Sequence, residues 1–82
     1  MAEVTYYGAD WCTDCRRSKA FLNANRVEFV ENNVEESAEL AAKAEAIAGR
    51  KNIPVIQFKD GAFLVEPSDA DLKAALVERR LL

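Results

Sequence analysis

With 82 residues, half of them hydrophobic and 30% charged, the chain has the composition of one small globular domain, near the size at which a single core just suffices. A net charge of −3 without clustered Lys and Arg argues against a nucleic-acid surface, and no apolar run approaches the roughly 18 residues of a membrane-spanning helix. The opening MAEVTYYGAD has neither the basic stretch nor the apolar run of a signal peptide, so a cytoplasmic protein of one domain, residues 1–82, is expected.

EVTYY alternates β-formers and predicts a strand at residues 3–7. Helical character begins at or just after Cys12 and runs through CRRSKAFLNAN, with Cys15, Ser18 and Leu22 on one face and Phe21 beside them. RVEFVEN, residues 26–32, predicts a second strand with Val27 and Phe29 on one side and Val30 on the other. EESAELAAKAEAIAGR predicts a helix capped by Ser37, with Leu40, Ala44, Ile47 and Ala48 at helical spacing and Gly49 as its stop. IPVIQFKDGAFLVE predicts a hairpin: strand 54–58, a Lys59-Asp60-Gly61 turn, and strand 62–65. EPSDADLKAALVERRLL predicts a closing helix with Ser68 as N-cap and an apolar stripe of Leu72, Ala75 and Leu76. Asp69 and Asp71 fall in its first turn and Arg79 and Arg80 in its last, each where the helix dipole favours that sign. The order β-α-β-α-β-β-α predicts an α/β fold: a small mixed sheet with helices on both faces and no linker dividing it.

The two cysteines, Cys12 and Cys15, lie in DWCTDCRRSK, between the first strand and the first helix. A zinc site takes four Cys, His or carboxylate ligands, and the chain has two Cys and no His, so no metal site is expected. A structural disulfide across three positions would close too small a loop to stabilise much. Two ordinary core thiols would suit Cys15 but not Cys12, which follows a loop. A redox pair fits both. A thiol at a helix N-terminus meets unpaired N–H groups and the positive end of the dipole, which favour the nucleophilic thiolate. A thiol whose pKa falls from about 8.5 to about 7 goes from a few per cent thiolate at neutral pH to about half. Cys15, one turn further on, should lie deeper and attack a mixed disulfide formed at Cys12.

VTYYGADWCTDCRRSKAFL resembles the active-site segment of the glutaredoxins, and most of all the small mycoredoxin-like proteins and the related NrdH-redoxins. Tyr7, Trp11, Cys12 and Cys15 match that segment's tyrosine, aromatic and cysteines. KNIPV stands where the family has its threonine-valine-proline loop, and VEPSDADL where its last helix starts. The resemblance spans the whole chain. It implies a thioredoxin-like (glutaredoxin) fold, a four-stranded mixed sheet with three helices, and a dithiol–disulfide oxidoreductase. Cys12 would be the attacking thiolate and Cys15 the resolving thiol. Pro54 would be a cis-proline facing them, and the backbone of Ile53 would pair with the bound thiol or peptide. Lys51 would meet a carboxylate of a low-molecular-weight thiol, Ser68 and Asp69 would hold its other end, and Trp11 would contact protein partners. From position alone, Pro54 fits equally a trans proline opening a strand, Lys51 a solvated cation, Ser68 and Asp69 a helix cap, and Tyr7 a core residue.

The resemblance further implies no required metal or organic cofactor, with mycothiol or glutathione as co-substrate. Disulfide-containing proteins would be the partners of a monomer, with thioredoxin reductase or mycothiol-disulfide reductase as the electron source. An NrdH-type donor to ribonucleotide reductase, fed by thioredoxin reductase, is one alternative. A [2Fe–2S] carrier, holding the cluster between two subunits, is another. The chain departs from the glutaredoxin pattern at three places. Thr13-Asp14 replaces Pro-Tyr between the cysteines, Glu66-Pro67 replaces two glycines before the last helix, and Asn52 replaces a threonine. The carboxylate of Glu66 at the mouth of the thiol site speaks against glutathione, and Pro67-Ser68 points to mycothiol. Asp14 suits the first turn of a helix by about 0.3–1 kcal/mol. Its charge also opposes a thiolate at Cys12, so Asp14 is expected to tune the pair, with Arg16 and Arg17 able to offset it.

Overall fold

The computed structural model describes residues 3–82. In chain order the elements are β1 (Val4–Gly8), α1 (Thr13–Ala24), β2 (Phe29–Asn33), α2 (Ala38–Ala48), β3 (Val55–Phe58), β4 (Phe63–Val65) and α3 (Asp69–Glu78). They form the expected mixed sheet in the order β2-β1-β3-β4, with β1 parallel to β2 and the other two pairings antiparallel. The parallel pair needs a crossover, which α1 supplies; the antiparallel β3–β4 pair needs only the tight turn that Asp60-Gly61 provides.

Strand alternation divides the interior into two cores. Val4 and Tyr6 of β1 and Ile56 and Phe58 of β3 face α1 and α3, packing with Cys15, Leu22, Leu72 and Leu76. Tyr7 and Val55 point the other way, onto Ala44 of α2, with Leu40, Ile47 and Ala48 around them. The residue-by-residue alternation of a strand therefore sends neighbouring side chains to opposite helical layers. Tyr7 belongs to the α2-side core, fully enclosed.

Several boundaries differ from the sequence reading, each for a local reason. The strand expected at 26–32 starts only at Phe29. Arg26 adopts φ 56, and the N–H groups of Arg26 and Val27 donate to Asn23 O (3.1 Å) and Leu22 O (2.9 Å). This pair of bonds closes α1 as a Schellman motif, with Val27 and Leu22 in one core, so the valine's apolar character serves a helix end. The same motif ends α3: Arg80 has φ 60, its N–H donates to Val77 O (3.0 Å), and Leu81 N–H donates to Leu76 O (2.9 Å). Arg79 and Arg80 are thus the cap and the residue after it, outside the last turn. Arg79 still meets the helix end, donating from Nη1 to Ala75 O (3.0 Å), while its Nε lies 3.1 Å from Asp60 Oδ2.

In the hairpin, Ala62 belongs to the turn, with its N–H taken by Asp60 Oδ1 (2.9 Å), and Pro54, which has no N–H, precedes the strand. β1 runs from Val4 to Gly8 rather than over 3–7, because the parallel pairing with β2 continues to Gly8 opposite Asn33. Ser37 and Ser68 cap α2 and α3 as expected, accepting N–H groups at Leu40 and Asp71, and Gly49 ends α2 at φ 78.

Candidate functional site

The site forms where β1 ends and α1 begins. Cys12 is the N-cap of α1, with extended backbone at φ −85 and ψ 117, and its Sγ accepts the N–H of Cys15 at 3.2 Å. A sulfur thus does what a serine or aspartate oxygen does at an ordinary cap, satisfying one of the free donors of the first turn. Cys12 reaches the surface at 9% exposure, whereas Cys15 is at 0%, the depth difference expected from its place in the first turn. Both are free thiols. Burial, and after it the hydrogen bond with Cys12, pushes the Cys15 thiol up to about 12.

Tyr6 and Gly8 hold the floor of the site. The Tyr6 phenol donates to the backbone carbonyl of Cys15 at 3.2 Å, and burial pushes its ionisation well above the ordinary tyrosine range. The ring reaches Cys15 by lying over Gly8, where any Cβ would collide with the phenol oxygen. Here glycine is needed for close approach.

Across from the cysteines runs the segment before β3. The Ile53–Pro54 peptide bond is cis, and the Ile53 carbonyl lies 3.9 Å from Cys12 Sγ. Pro54 is fully buried, and its carbonyl accepts the N–H of Glu66 at 2.9 Å, joining this segment to the start of α3. Glu66 holds φ 50, a left-handed backbone uncommon for a side chain of its kind, and its carboxylate accepts from Asn52 Nδ2 at 3.4 Å. Lys51 and Ile53 share with Trp11 the lining of a 430 Å³ groove that runs along α2. Trp11 is 67% exposed, and its indole N–H donates to Glu35 Oε1 at 2.9 Å.

On the other side, Arg17 links the cysteine segment to α3. Its Nη1 lies 3.1 Å from Asp14 Oδ1 and its Nε 3.8 Å from Asp69 Oδ1, and its Nη2 donates to the Pro67 carbonyl at 3.2 Å. Asp14 therefore shares its charge with Arg17. Ser68 spends its hydroxyl on the Asp71 N–H (3.1 Å), as a cap.

The structure thus gathers Cys12, Cys15, Ile53 and Pro54 around one sulfur. Trp11 and Lys51 line the groove along α2, and Arg17 ties Asp14 to Asp69, next to Ser68. The residues the sequence did not single out are Tyr6 and Glu35. Arg17, expected with Arg16 to offset Asp14, pairs with it at the three-residue helical spacing. Tyr6 showed only strand alternation, and Glu35, in a loop 24 positions from Trp11, showed nothing. Among the described residues, no group of three or more His, Cys, Asp or Glu is placed to share a metal ion, and no helix is long and apolar enough to cross a membrane.

A family model described as glutaredoxin matches residues 4–63. A Mycobacterium tuberculosis protein described as a glutaredoxin is 35% identical over 78 residues, covering 94% of this chain and 93% of its own. Mycoredoxin 1 of Corynebacterium glutamicum is 26% identical over 76 residues, 93% of this chain and 95% of that one. Among solved structures, the glutaredoxin of Archaeoglobus fulgidus superposes with a TM-score of 0.81 at 26% identity, over 90% of this chain and 85% of that chain.

Proposed function

The chain belongs to the glutaredoxin family and is a thiol–disulfide oxidoreductase, and from that premise we propose that Cys12 is its nucleophile, Cys15 its resolving thiol and mycothiol its preferred small-thiol partner. The observation that carries the assignment of Cys12 is its place at the N-cap. The N–H of Cys15, 3.2 Å from the sulfur, and the positive end of α1 sit where a sulfur anion needs them. Cys12 is also the cysteine that reaches solvent.

In the first step the Cys12 thiolate bonds to one sulfur of the substrate disulfide. The substrate's S–S bond breaks, and the released thiolate takes a proton from solvent. Next the Cys15 sulfur attacks Cys12, its proton passing to the second substrate thiolate as that leaves. The substrate has gained two electrons, and Cys12–Cys15 is a disulfide. Two molecules of a small thiol then return the electrons and leave as their own disulfide. Because burial keeps Cys15 protonated, a small thiol competes well with it for the mixed disulfide at Cys12.

The Ile53 backbone, whose carbonyl lies beside Cys12, would pair with the bound substrate as an added strand does. Lys51 supplies a cation on the groove side, and the α3 start at Ser68 and Asp69 receives the far end of the small thiol. Glu66, whose carboxylate bonds to Asn52 and whose N–H bonds to Pro54 O, disfavours a thiol ending in a carboxylate and suits one ending in neutral hydroxyls. This supports mycothiol over glutathione, as does the likeness to a relative named mycoredoxin. Disulfide-containing proteins in the cytoplasm would be the other partners. Turnover of a mixed-disulfide substrate with mycothiol, glutathione or thioredoxin plus its reductase, on the parent, Cys12→Ser and Cys15→Ser, tests the reading. Mycothiol should give the highest kcat/KM, and Cys15→Ser should remain active with it. A preference for thioredoxin reductase would instead favour the NrdH-type role.

A further inference from the structure

We propose that Glu35 is a positioning residue for protein substrates: it fixes the Trp11 indole as the wall of a groove that leads from Cys12 along α2 and receives an apolar side chain next to the substrate's cysteine. The inference rests on the redox reading above and adds to it where the polypeptide part of a disulfide sits.

Glu35 is itself well placed. Asn33 closes β2 opposite Gly8, and Val34 N–H donates to Gly8 O at 3.0 Å. Asn33 then accepts twice from the following loop, Oδ1 from Glu35 N–H (2.9 Å) and the carbonyl from Glu36 N–H (3.1 Å). Ser37 caps α2 immediately afterwards. An Asx turn of this kind leaves the Glu35 backbone little freedom. From there its carboxylate accepts the indole N–H of Trp11 at 2.9 Å. At 67% exposure the indole has little packing to choose its rotamer, so this bond to a charged acceptor selects it.

Trp11 directly precedes Cys12, and Ile53 at the same end of the groove places its carbonyl 3.9 Å from Cys12 Sγ. Between them the 430 Å³ groove runs over Ala38, Ala41 and Ala44 of α2. Those small side chains leave room and offer no hydrogen bonds, which suits an apolar side chain and not a polyhydroxylated or charged small thiol. Arg50 and Lys51 on the rim have no ion-pair partner among the described residues, in a chain of net charge −3. Glu45 of α2 also lines the groove, so the carboxylate that Arg50 and Lys51 complement lies at their end of it, further along the same polypeptide. The occupant is therefore an extended segment carrying an apolar residue beside the disulfide cysteine and an acidic residue beyond it.

The test compares the parent, Glu35→Ala and Glu35→Gln on two substrates. One is a peptide mixed disulfide with Leu next to its cysteine and Glu beyond, and the other is bis(2-hydroxyethyl) disulfide. Glu35→Ala should raise KM for the peptide about three- to tenfold, the size of one ordinary hydrogen bond, with kcat little changed. Its KM for the small disulfide should stay at the parent value. Glu35→Gln, which keeps an acceptor oxygen, should recover most of the loss. Trp11 is the single tryptophan, so its fluorescence anisotropy should fall in Glu35→Ala and recover in Glu35→Gln. An unchanged peptide KM in Glu35→Ala, or an equal rise for both substrates, overturns the proposal. A parent inactive on both disulfides overturns the redox assignment of Cys12 as well, so the two failures are distinguishable.

Discussion

Cys15 should hold its proton in the folded dithiol at a pH where an ordinary thiol has lost it, and this makes stability depend on pH. The ordinary value is 9.0 and the folded value about 12, raised first by burial at 0% exposure. Below about pH 9 the thiol is protonated whether folded or unfolded, so its contribution is fully present. Above that the unfolded chain releases the proton while the folded chain keeps it, and stability falls until the pH passes the folded value. By pH 10 the loss from this group alone is about 1 kcal/mol, roughly a tenfold change in the folding equilibrium. Tyr6, also raised by burial, and Lys19, raised by its 2.6 Å pair with Glu31, lose stability in the same direction but at higher pH. The window from pH 9 to 10 therefore isolates the thiols. Urea unfolding of the reduced parent and of Cys15→Ala across that window gives the difference. The parent should lose about 1 kcal/mol more than Cys15→Ala. Alkylation reports the same property: at pH 8 the native chain should take up one iodoacetamide, on Cys12, and two when unfolded. Equal pH slopes in the two proteins, or rapid native alkylation of Cys15, would refute the argument.

Gly8→Ala should destabilise by about 2–4 kcal/mol in urea unfolding, because its Cβ displaces the Tyr6 phenol that bonds to Cys15 O. Tyr6→Phe in the same background should recover part of the loss, and a change below about 0.5 kcal/mol contradicts the packing. Arg17→Met should slow alkylation of Cys12 at pH 7 about two- to fivefold, as Asp14 then faces the helix terminus unpaired and a cation is gone. Adding Asp14→Asn should restore the rate, while an unaltered rate in Arg17→Met would remove Asp14 and Arg17 from the tuning of the site. Ser18 has a fully buried hydroxyl without a hydrogen-bond partner among the described residues, so Ser18→Ala should be neutral or stabilise by about 1 kcal/mol. Thermal unfolding that shows a clear loss would mean that the hydroxyl is satisfied.

Element order, the two-sided sheet and the cysteine chemistry were legible because each rests on local signals: strand alternation, N-cap serines, an Asp-Gly turn, a C-x-x-C before a helix. The misplaced strand start at Arg26 shows the limit. Val27 reads equally as a strand residue or as the apolar partner that closes a Schellman motif against Leu22, and only tertiary packing decides. The last-turn position expected for Arg79 failed similarly, because Arg80 at φ 60 closes α3 in a Schellman motif and leaves Arg79 as its cap, its guanidinium bonded to Ala75 O and Asp60 and 4.2 Å from the Phe58 ring. At the site, the residues proposed to do the chemistry were visible, and Tyr6 and Glu35, which bond to Cys15 and Trp11, were not. Tyr6 and Glu35 make contacts 9 and 24 positions away, which no sequence periodicity records. Asp14 was legible as a charge between two thiols that Arg17 could offset, but the further link from Arg17 to Pro67 and Asp69 needed the fold.

The central claim is that Cys12 attacks and Cys15 resolves, and trapping the intermediate tests it most directly. Reduced Cys15→Ser, mixed with the disulfide of mycothiol, should accumulate one mycothiol per chain by intact mass, and peptide mapping should place it on Cys12. Cys12→Ser should form no adduct under the same conditions. An adduct on Cys15 of Cys12→Ser, or turnover surviving in that variant, would contradict the assignment.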